Sequence, residues 1–320
     1  MKAAVYYKNG GPEVLRYEEV PDPVLQRGGV IIRVEAIPIE GGDTLNRQGG
    51  PLVSVPHIVG YQAGGEIIAV GSEVEGMRVG QKVATLAFFG SHAELRAVPA
   101  SGCWAVPDGF DVKLAAPIPV TFGTADDCLF EFGRLKAGET VLIQAGAGGV
   151  GVAAIQLAKR AGARVLATAS SDSRLEALKS YGMDHGINYA REDVVQAVMD
   201  LTNNKGADLV VDPVGGATLQ SSILALAYRG RVSMVGAAGR EGQRVDVSSL
   251  MMGNRSLTGV FLGAEIATPR VRANIQRLID ETARGELVSV IDKTFALSEA
   301  AAAHAYIESR QAVGRVLLIP

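Results

Sequence analysis

The sequence predicts an α/β protein of two domains: a doubly wound parallel sheet, and a mainly β domain that begins at the N-terminus and is completed by the C-terminal segment. Three observations predict it. The chain has 320 residues, more than the roughly 250 to 300 at which single cores stop growing. From Lys136 onward apolar strands alternate strictly with helical stretches. Before that point the chain is a succession of short apolar runs broken by Gly, Pro, Asp and Asn, the punctuation of β structure.

In order along the chain, GVIIRVEAI, GGEIIAVG and QKVATLAFF are the strands of the first domain, which spans residues 1–119. The second domain, 120–265, runs as strand ETVLIQA, helix from Val150 to Ala161, strand ARVLATA, helix from Asp172 to Tyr181 and strand GINY. It continues with a helix from Glu192 to Thr202, strand ADLVVDPVG, a helix from Ala217 to Ala227, and strands RVSMVG and SLTGVF. Such alternation means βαβ units, a parallel sheet and right-handed crossovers. The tail offers helix VRANIQRLIDETARG, strand VSVIDKTFAL, helix SEAAAAHAYIESR and strand GRVLLIP. Six strands already fill the parallel sheet, so residues 266–320 are assigned back to the first domain.

Composition excludes several classes of function. Hydrophobic residues at 48% and charged residues at 20% allow a large core and leave little room for disordered tails. A net charge of −3 without any Lys/Arg run gives no footprint for nucleic acid or an anionic membrane. No segment reaches the ~20 apolar residues of a span, and MKAAVYYKNG is not a signal peptide, so a cytoplasmic protein is expected. Cys103 and Cys128 have no CxxC neighbour and read as buried thiols, leaving redox chemistry to a cofactor.

Gly146, Gly148 and Gly151 form GxGxxG in QAGAGGVG, directly after a strand and opening a helix. Such glycines give a tight turn, a backbone that approaches a pyrophosphate, and close helix–sheet contact. With the following βα units in place the motif predicts a dinucleotide, held by Gly146, Gly148, Gly149, Val150 and Gly151. Its identity depends on the end of the second strand, where an acidic residue would bind a ribose 2′-OH. Here stand Ala169, Ser170 and Ser171, then Arg174. Hydroxyls and a guanidinium suit a 2′-phosphate, so NADPH is favoured over NADH. Asp172 is the opposing signal, or the N-cap of its helix; Arg174 equally suits a solvated helix face.

The opening KAAVYYKNGGPEVLRYEEVPDP, the segments GGDTLNRQG and GYQAGGEIIAVGSEVEGMRVGQKV, LKAGETVLIQAGAGGVGVAAIQLAKRAGARV and the ending AYIESRQAVGRVLLIP resemble the quinone oxidoreductase branch of the medium-chain dehydrogenase/reductase superfamily. The resemblance implies a GroES-like N-terminal domain, a Rossmann domain, a cleft between them for the nicotinamide, and a homodimer formed through the Rossmann sheet edge. It adds Tyr189 to the adenosine phosphate pocket, and places Thr124, Gly236, Phe261 and Leu262 near the nicotinamide. Arg310 either covers the phosphate side or caps its helix.

Zinc-dependent members place Cys, His–Glu and a further ligand where this chain has Glu40, Tyr61–Gln62 and Thr121 to Thr124, and they carry a cysteine-rich lobe that is missing here. Neither zinc is therefore expected. His57, His92, His185 and His304 are scattered and read as surface or satisfied residues. Glu40 replaces the Asn usual in the branch, and two readings stay open: a carboxyl beside the nicotinamide, ionised or protonated, or a side chain moved out to solvent by the following glycines. Asp43 and Arg47 have the i,i+4 spacing of a pair. Tyr61 is either a hydrogen-bond donor to a substrate oxygen or a core tyrosine.

Without a Lewis acid, hydride must go to an acceptor that is already electrophilic. The expected activity is NADPH-dependent reduction of a quinone or similar conjugated carbonyl, with Tyr61 and Glu40 as candidate catalytic residues. The alternatives are reduction of an enone or alkenal double bond, and an NADPH-binding structural or regulatory protein with little turnover.

Overall fold

The computed structural model describes all 320 residues. The chain opens with β1 (Lys2–Tyr6) and β2 (Arg16–Glu19), an antiparallel pair. Next come β3 (Gly29–Pro38), helix α1 (Gly41–Gly49) and β4 (His57–Ile58), which closes against β1. The strands β5 (Gln62–Val70), β6 (Lys82–Leu86), β7 (Leu95–Pro99) and β8 (Cys103–Ala105) follow. In β3 the alternate residues Val30, Ile32 and Val34 point into one core, the period of two that a strand requires. Two helices, α2 (Val112–Ala115) and α3 (Ile118–Asp126), lead out of this region.

A six-stranded sheet comes next. Its elements are β9 (Thr140–Ile143), α4 (Gly149–Arg160), β10 (Arg164–Ala169), α5 (Asp172–Lys179), β11 (His185–Asn188) and α6 (Val194–Leu201). They continue with β12 (Ala207–Asp212), α7 (Gly216–Leu224), β13 (Leu226–Met234), α8 (Ser248–Met251), β14 (Ser256–Gly259) and α9 (Leu262–Glu265). The strand order is β11-β10-β9-β12-β13-β14, every neighbouring pair parallel. This is the Rossmann arrangement, whose order reverses between β9 and β12. The central residues Val141, Leu142, Val210 and Val211 are completely buried, because helices cover both faces of such a sheet. The helix expected to reach Ala227 stops at Leu224, since Leu226 is already paired with Ala207 in β13.

The tail supplies α10 (Pro269–Ala283), β15 (Ile291–Ala296), α11 (Ala300–Glu308) and β16 (Arg315–Ile319). Helix α10 has Thr268 as N-cap and Pro269 in its first turn, and buries Val271, Ile275, Leu278 and Ile279 along one stripe, as helical periodicity demands. Strand β16 runs parallel to β15 and antiparallel to β3. Together they extend a seven-stranded sheet in the order β15-β16-β3-β5-β6-β8, with β7 on β3. The C-terminal segment thus completes the GroES-like part. The chain forms two compact units, residues 1–120 with 265–320, and residues 121–264. No helix is long and apolar enough to cross a membrane.

Candidate active site

Within the GroES-like unit the end of β3 runs into α1, and this junction places Glu40. Glu40 is the N-cap, and its backbone N–H donates to Asp43 Oδ2 at 2.9 Å. The side chain is 2% exposed, which removes the expectation that it turns out to solvent. Gln62 Nε2 donates to Glu40 Oε1 at 2.5 Å, and the Arg315 guanidinium pairs with Glu40 Oε2. Gln62 is itself fixed, since its Oε1 accepts from Val120 N–H at 3.2 Å. Burial pushes the Glu40 carboxyl up to about 8, against the pull of Arg315. Asp43 is fully buried and is raised for the same reason to about 7. Its Oδ1 has no hydrogen-bond partner.

Tyr61 precedes Gln62 on the same strand entry, with its hydroxyl close against Gly42, where a Cβ would stand 2.9 Å from it. Burial and the two carboxyls raise its phenol well above 10, so it keeps its proton at any physiological pH. Arg96 is completely enclosed and holds the Tyr61 segment. Its Nη2 donates to the carbonyls of Tyr61 (3.1 Å), Ala87 (2.8 Å) and Phe89 (3.0 Å), and its Nη1 to Thr85 Oγ1 (3.2 Å). Burial lowers the guanidinium to about 10, which leaves it charged at neutral pH.

Asp43 and Arg47 do not form the expected i,i+4 pair, because Arg47 faces α11. There it donates to His304 Nδ1 (2.9 Å) and Glu308 Oε1 (2.6 Å). Of the histidines, His185 is exposed and His92 and His304 are satisfied, as expected, whereas His57 is buried with neither ring nitrogen bonded. His92 and His304 are both buried and meet through their Nε2 atoms at 3.0 Å. Arginine only donates, so His304 carries its proton on Nε2 and His92 accepts it there. Burial pushes both imidazoles down, His92 to about 3, so the pair stays neutral. His57 is buried edge-on against Tyr6 and Phe89. Nothing local in the sequence announces Arg96, His304 or Arg315: an arginine in a strand, or at its start, reads as a solvated charge until its partners arrive from segments 7 to 275 residues away.

Within the Rossmann unit, the N-cap of α4 is Gly148, which makes no side-chain cap bond. The first N–H groups of a helix lack intrahelical acceptors, so those of Gly149, Val150 and Gly151 are groups that could hold an anion. Glycine is required here by contact. A Cβ at 151 would lie 2.5 Å from Ala145 O and 2.6 Å from Gly146 O, and one at 146 would lie 2.8 Å from Ala167 Cβ. The loop is fastened by a directional chain of buried bonds. Ala145 N–H donates to Thr168 Oγ1, Thr168 to Gln144 Oε1, Gln144 Nε2 to Ser222 Oγ and Ser222 to Asp212 Oδ2. Asp212 Oδ1 accepts from Val214 and Gly215 N–H.

At the end of β10, Arg174 Nη1 donates to Ser170 Oγ at 3.1 Å. Tyr189 N–H donates to Ala169 O at 3.1 Å, which fixes the Tyr189 backbone beside the end of β10. Ser170 and Arg174 are thus in contact, and the Tyr189 backbone lies at the same strand end. The N-cap of α5 is Ser171 rather than Asp172, since Asp172 turns to Asn188 and Arg191. Thr124 is buried on α3, Gly236 follows β13, Phe261 is exposed and Leu262 is buried at the start of α9. Arg310 belongs to the other unit, exposed and left-handed (φ 59°) just past the end of α11, where its N–H donates to Ile307 O.

A GroES-like sheet and a Rossmann sheet with this glycine loop define the medium-chain dehydrogenase/reductase architecture. Residues 26–108 match the alcohol dehydrogenase GroES-like domain, and residues 149–283 match the zinc-binding dehydrogenase domain. The chain is 33% identical over 315 residues to a quinone oxidoreductase of Pseudomonas aeruginosa, covering 97% of each. It is 34% identical over 329 residues to a 2-haloacrylate reductase of Burkholderia sp, covering 99% of this chain and 98% of that one. The crystal structure of Escherichia coli quinone oxidoreductase complexed with NADPH superposes with a TM-score of 0.95 at 28% identity, covering 100% of both chains. The protein belongs to the quinone oxidoreductase branch of this superfamily and is an oxidoreductase.

Proposed function

We propose that the protein reduces a quinone or similar conjugated carbonyl with NADPH and without zinc. The observation that carries the reading is the uncapped start of α4 together with Ser170, Arg174 and Tyr189 at the end of β10. Those N–H groups suit a pyrophosphate, and the hydroxyls and guanidinium suit a 2′-phosphate. When bound, NADPH supplies the hydride. The protein's part is to hold it, to exclude water and to set hydrogen bonds at the acceptor. Tyr61, a phenol that keeps its proton, is assigned as donor to the acceptor oxygen. Glu40, anchored by Gln62 and Arg315, is assigned to the positioning of that segment.

The donor set supports the zinc-free reading. Both oxygens of Glu40 are engaged, one by a cationic guanidinium, while Tyr61 and Gln62 are poor zinc ligands. A zinc ion does not fit these residues.

A homodimer through the exposed edge of β14 belongs to the same proposal. Tyr228, Val247, Met251 and Met252 are all highly exposed, and Arg229 N–H donates to Gly253 O, which brings Tyr228 to the Met251–Met252 turn. This apolar surface beside an unpaired strand edge suits a second copy of the chain. Sedimentation of wild type and Met252→Glu tests it, with a dimer that the charge dissociates as the expected result.

The deciding experiment is NADPH oxidation by chelator-treated protein against a panel of quinones and conjugated enones, with protein-free controls. Turnover of quinones that survives the chelator is expected. Faster turnover of conjugated C=C substrates would favour the alternative, which the likeness to a 2-haloacrylate reductase supports. Tight NADPH binding without turnover of any acceptor would refute the enzymatic reading.

A further inference from the structure

One carboxylate stands where it should harm NADPH binding. Asp172 lies two residues beyond Ser170, in the first turn of α5, and an acidic group at this strand end repels a ribose 2′-phosphate and favours the free hydroxyl. Its environment explains how the two demands coexist. Asp172 Oδ1 accepts from Asn188 Nδ2 at 2.9 Å and from Arg191 Nη2 at 2.7 Å. Asn188 is buried and locked in turn, its Oδ1 accepting from Ala190 N–H and its N–H donating to Glu192 Oε1. The carboxylate is thus drawn toward the end of β11 and paired with a guanidinium, while Arg174 turns to Ser170.

We infer that Arg191 is a cofactor-specificity residue: by binding Asp172 it holds that carboxylate off the 2′ position and makes the site accept NADPH. The inference rests on the NADPH reading above. Arg191 acts through Asp172 and need not touch the cofactor, so it is a positioning residue. Both side chains are largely exposed, 62% for Arg191 and 59% for Asp172, so the pair adds little to stability. Its consequence is electrostatic: without Arg191 an uncompensated negative charge sits within reach of a phosphate that carries nearly two.

The test is calorimetric titration of the purified protein with NADPH, NADH and 2′,5′-ADP at low salt, for wild type, Arg191→Ala, Asp172→Asn and the double variant. Arg191→Ala is expected to weaken NADPH and 2′,5′-ADP about five- to tenfold and leave NADH unchanged or tighter, with the loss shrinking at high salt. Asp172→Asn is expected to keep NADPH affinity, and the double variant to recover it. Recovery separates this role from direct phosphate contact by Arg191, in which the double variant would stay weak and the inference would fall. An unchanged Arg191→Ala would also overturn it. Wild-type protein that binds NADH as tightly as NADPH would instead sink the cofactor reading itself, and the inference with it.

Discussion

The glycine loop gives a graded prediction, because two of its glycines are required for different reasons. In Gly151→Ala the new Cβ would lie 2.5 Å from Ala145 O and 2.6 Å from Gly146 O. Neither oxygen belongs to a flexible side chain, and the loop is held to β10 through Ala145 N–H on Thr168 Oγ1 and Gly146 N–H on Thr168 O. Forced shifts of this kind cost about 1–3 kcal/mol, against a gain of roughly 0.5–1 kcal/mol from replacing a helical glycine by alanine. The clash wins, and a Tm loss of a few degrees is expected together with loss of NADPH binding. In Gly148→Ala the nearest atom is Ala145 O at 3.3 Å, and φ −73°, ψ 164° is ordinary backbone for alanine. Stability is therefore expected to hold while the added methyl obstructs the anion's approach to the N–H groups, weakening NADPH by roughly tenfold or more. Thermal unfolding without cofactor, paired with NADPH titration, checks both. If Gly151→Ala left Tm and affinity untouched, or Gly148→Ala lowered Tm while affinity held, the contact argument would be wrong.

Tyr61→Phe is expected to lower kcat/KM for quinone by about 100- to 1000-fold, the range for losing a positioned donor, with NADPH affinity by titration unchanged. Arg96→Met strips the donor from three carbonyls and Thr85 and should cost about 3–5 kcal/mol, as other broken buried networks do, visible as a large drop in Tm. For Glu40 the folded chain keeps the proton to about 8 whereas the ordinary carboxyl releases it near 4.5. In that window the native state binds more protons than the unfolded one, so stability falls as pH rises. Asp43, raised to about 7, adds the same sign. Melting curves between pH 5 and 8 should therefore slope downward more steeply for wild type than for Glu40→Gln; equal slopes would contradict the burial argument.

Local patterns in the sequence determined much of this protein. The alternation of strand and helix after Lys136, the glycines at 146, 148 and 151, and the Ser170–Arg174 signal each act within one βα unit, where a period of 2 or 3.6 and a short turn set the geometry. The return of the tail was also legible, since a parallel sheet already holding six strands leaves GRVLLIP to pair elsewhere, and β16 pairs with β3. The state of individual charged groups was decided only by the tertiary structure. The two open readings of Glu40 differed by burial alone, and burial depends on Gln62 and on Arg315, 275 positions away in the chain. Arg47 abandoned its helical neighbour Asp43 for His304 and Glu308, Ser171 took the cap expected of Asp172, and two scattered histidines became a bonded pair. Spacing along a helix fixes which side chains share a face, but the partner of a buried charge is whichever opposite group the packed chain brings within about 3 Å, and that is settled only when distant segments meet.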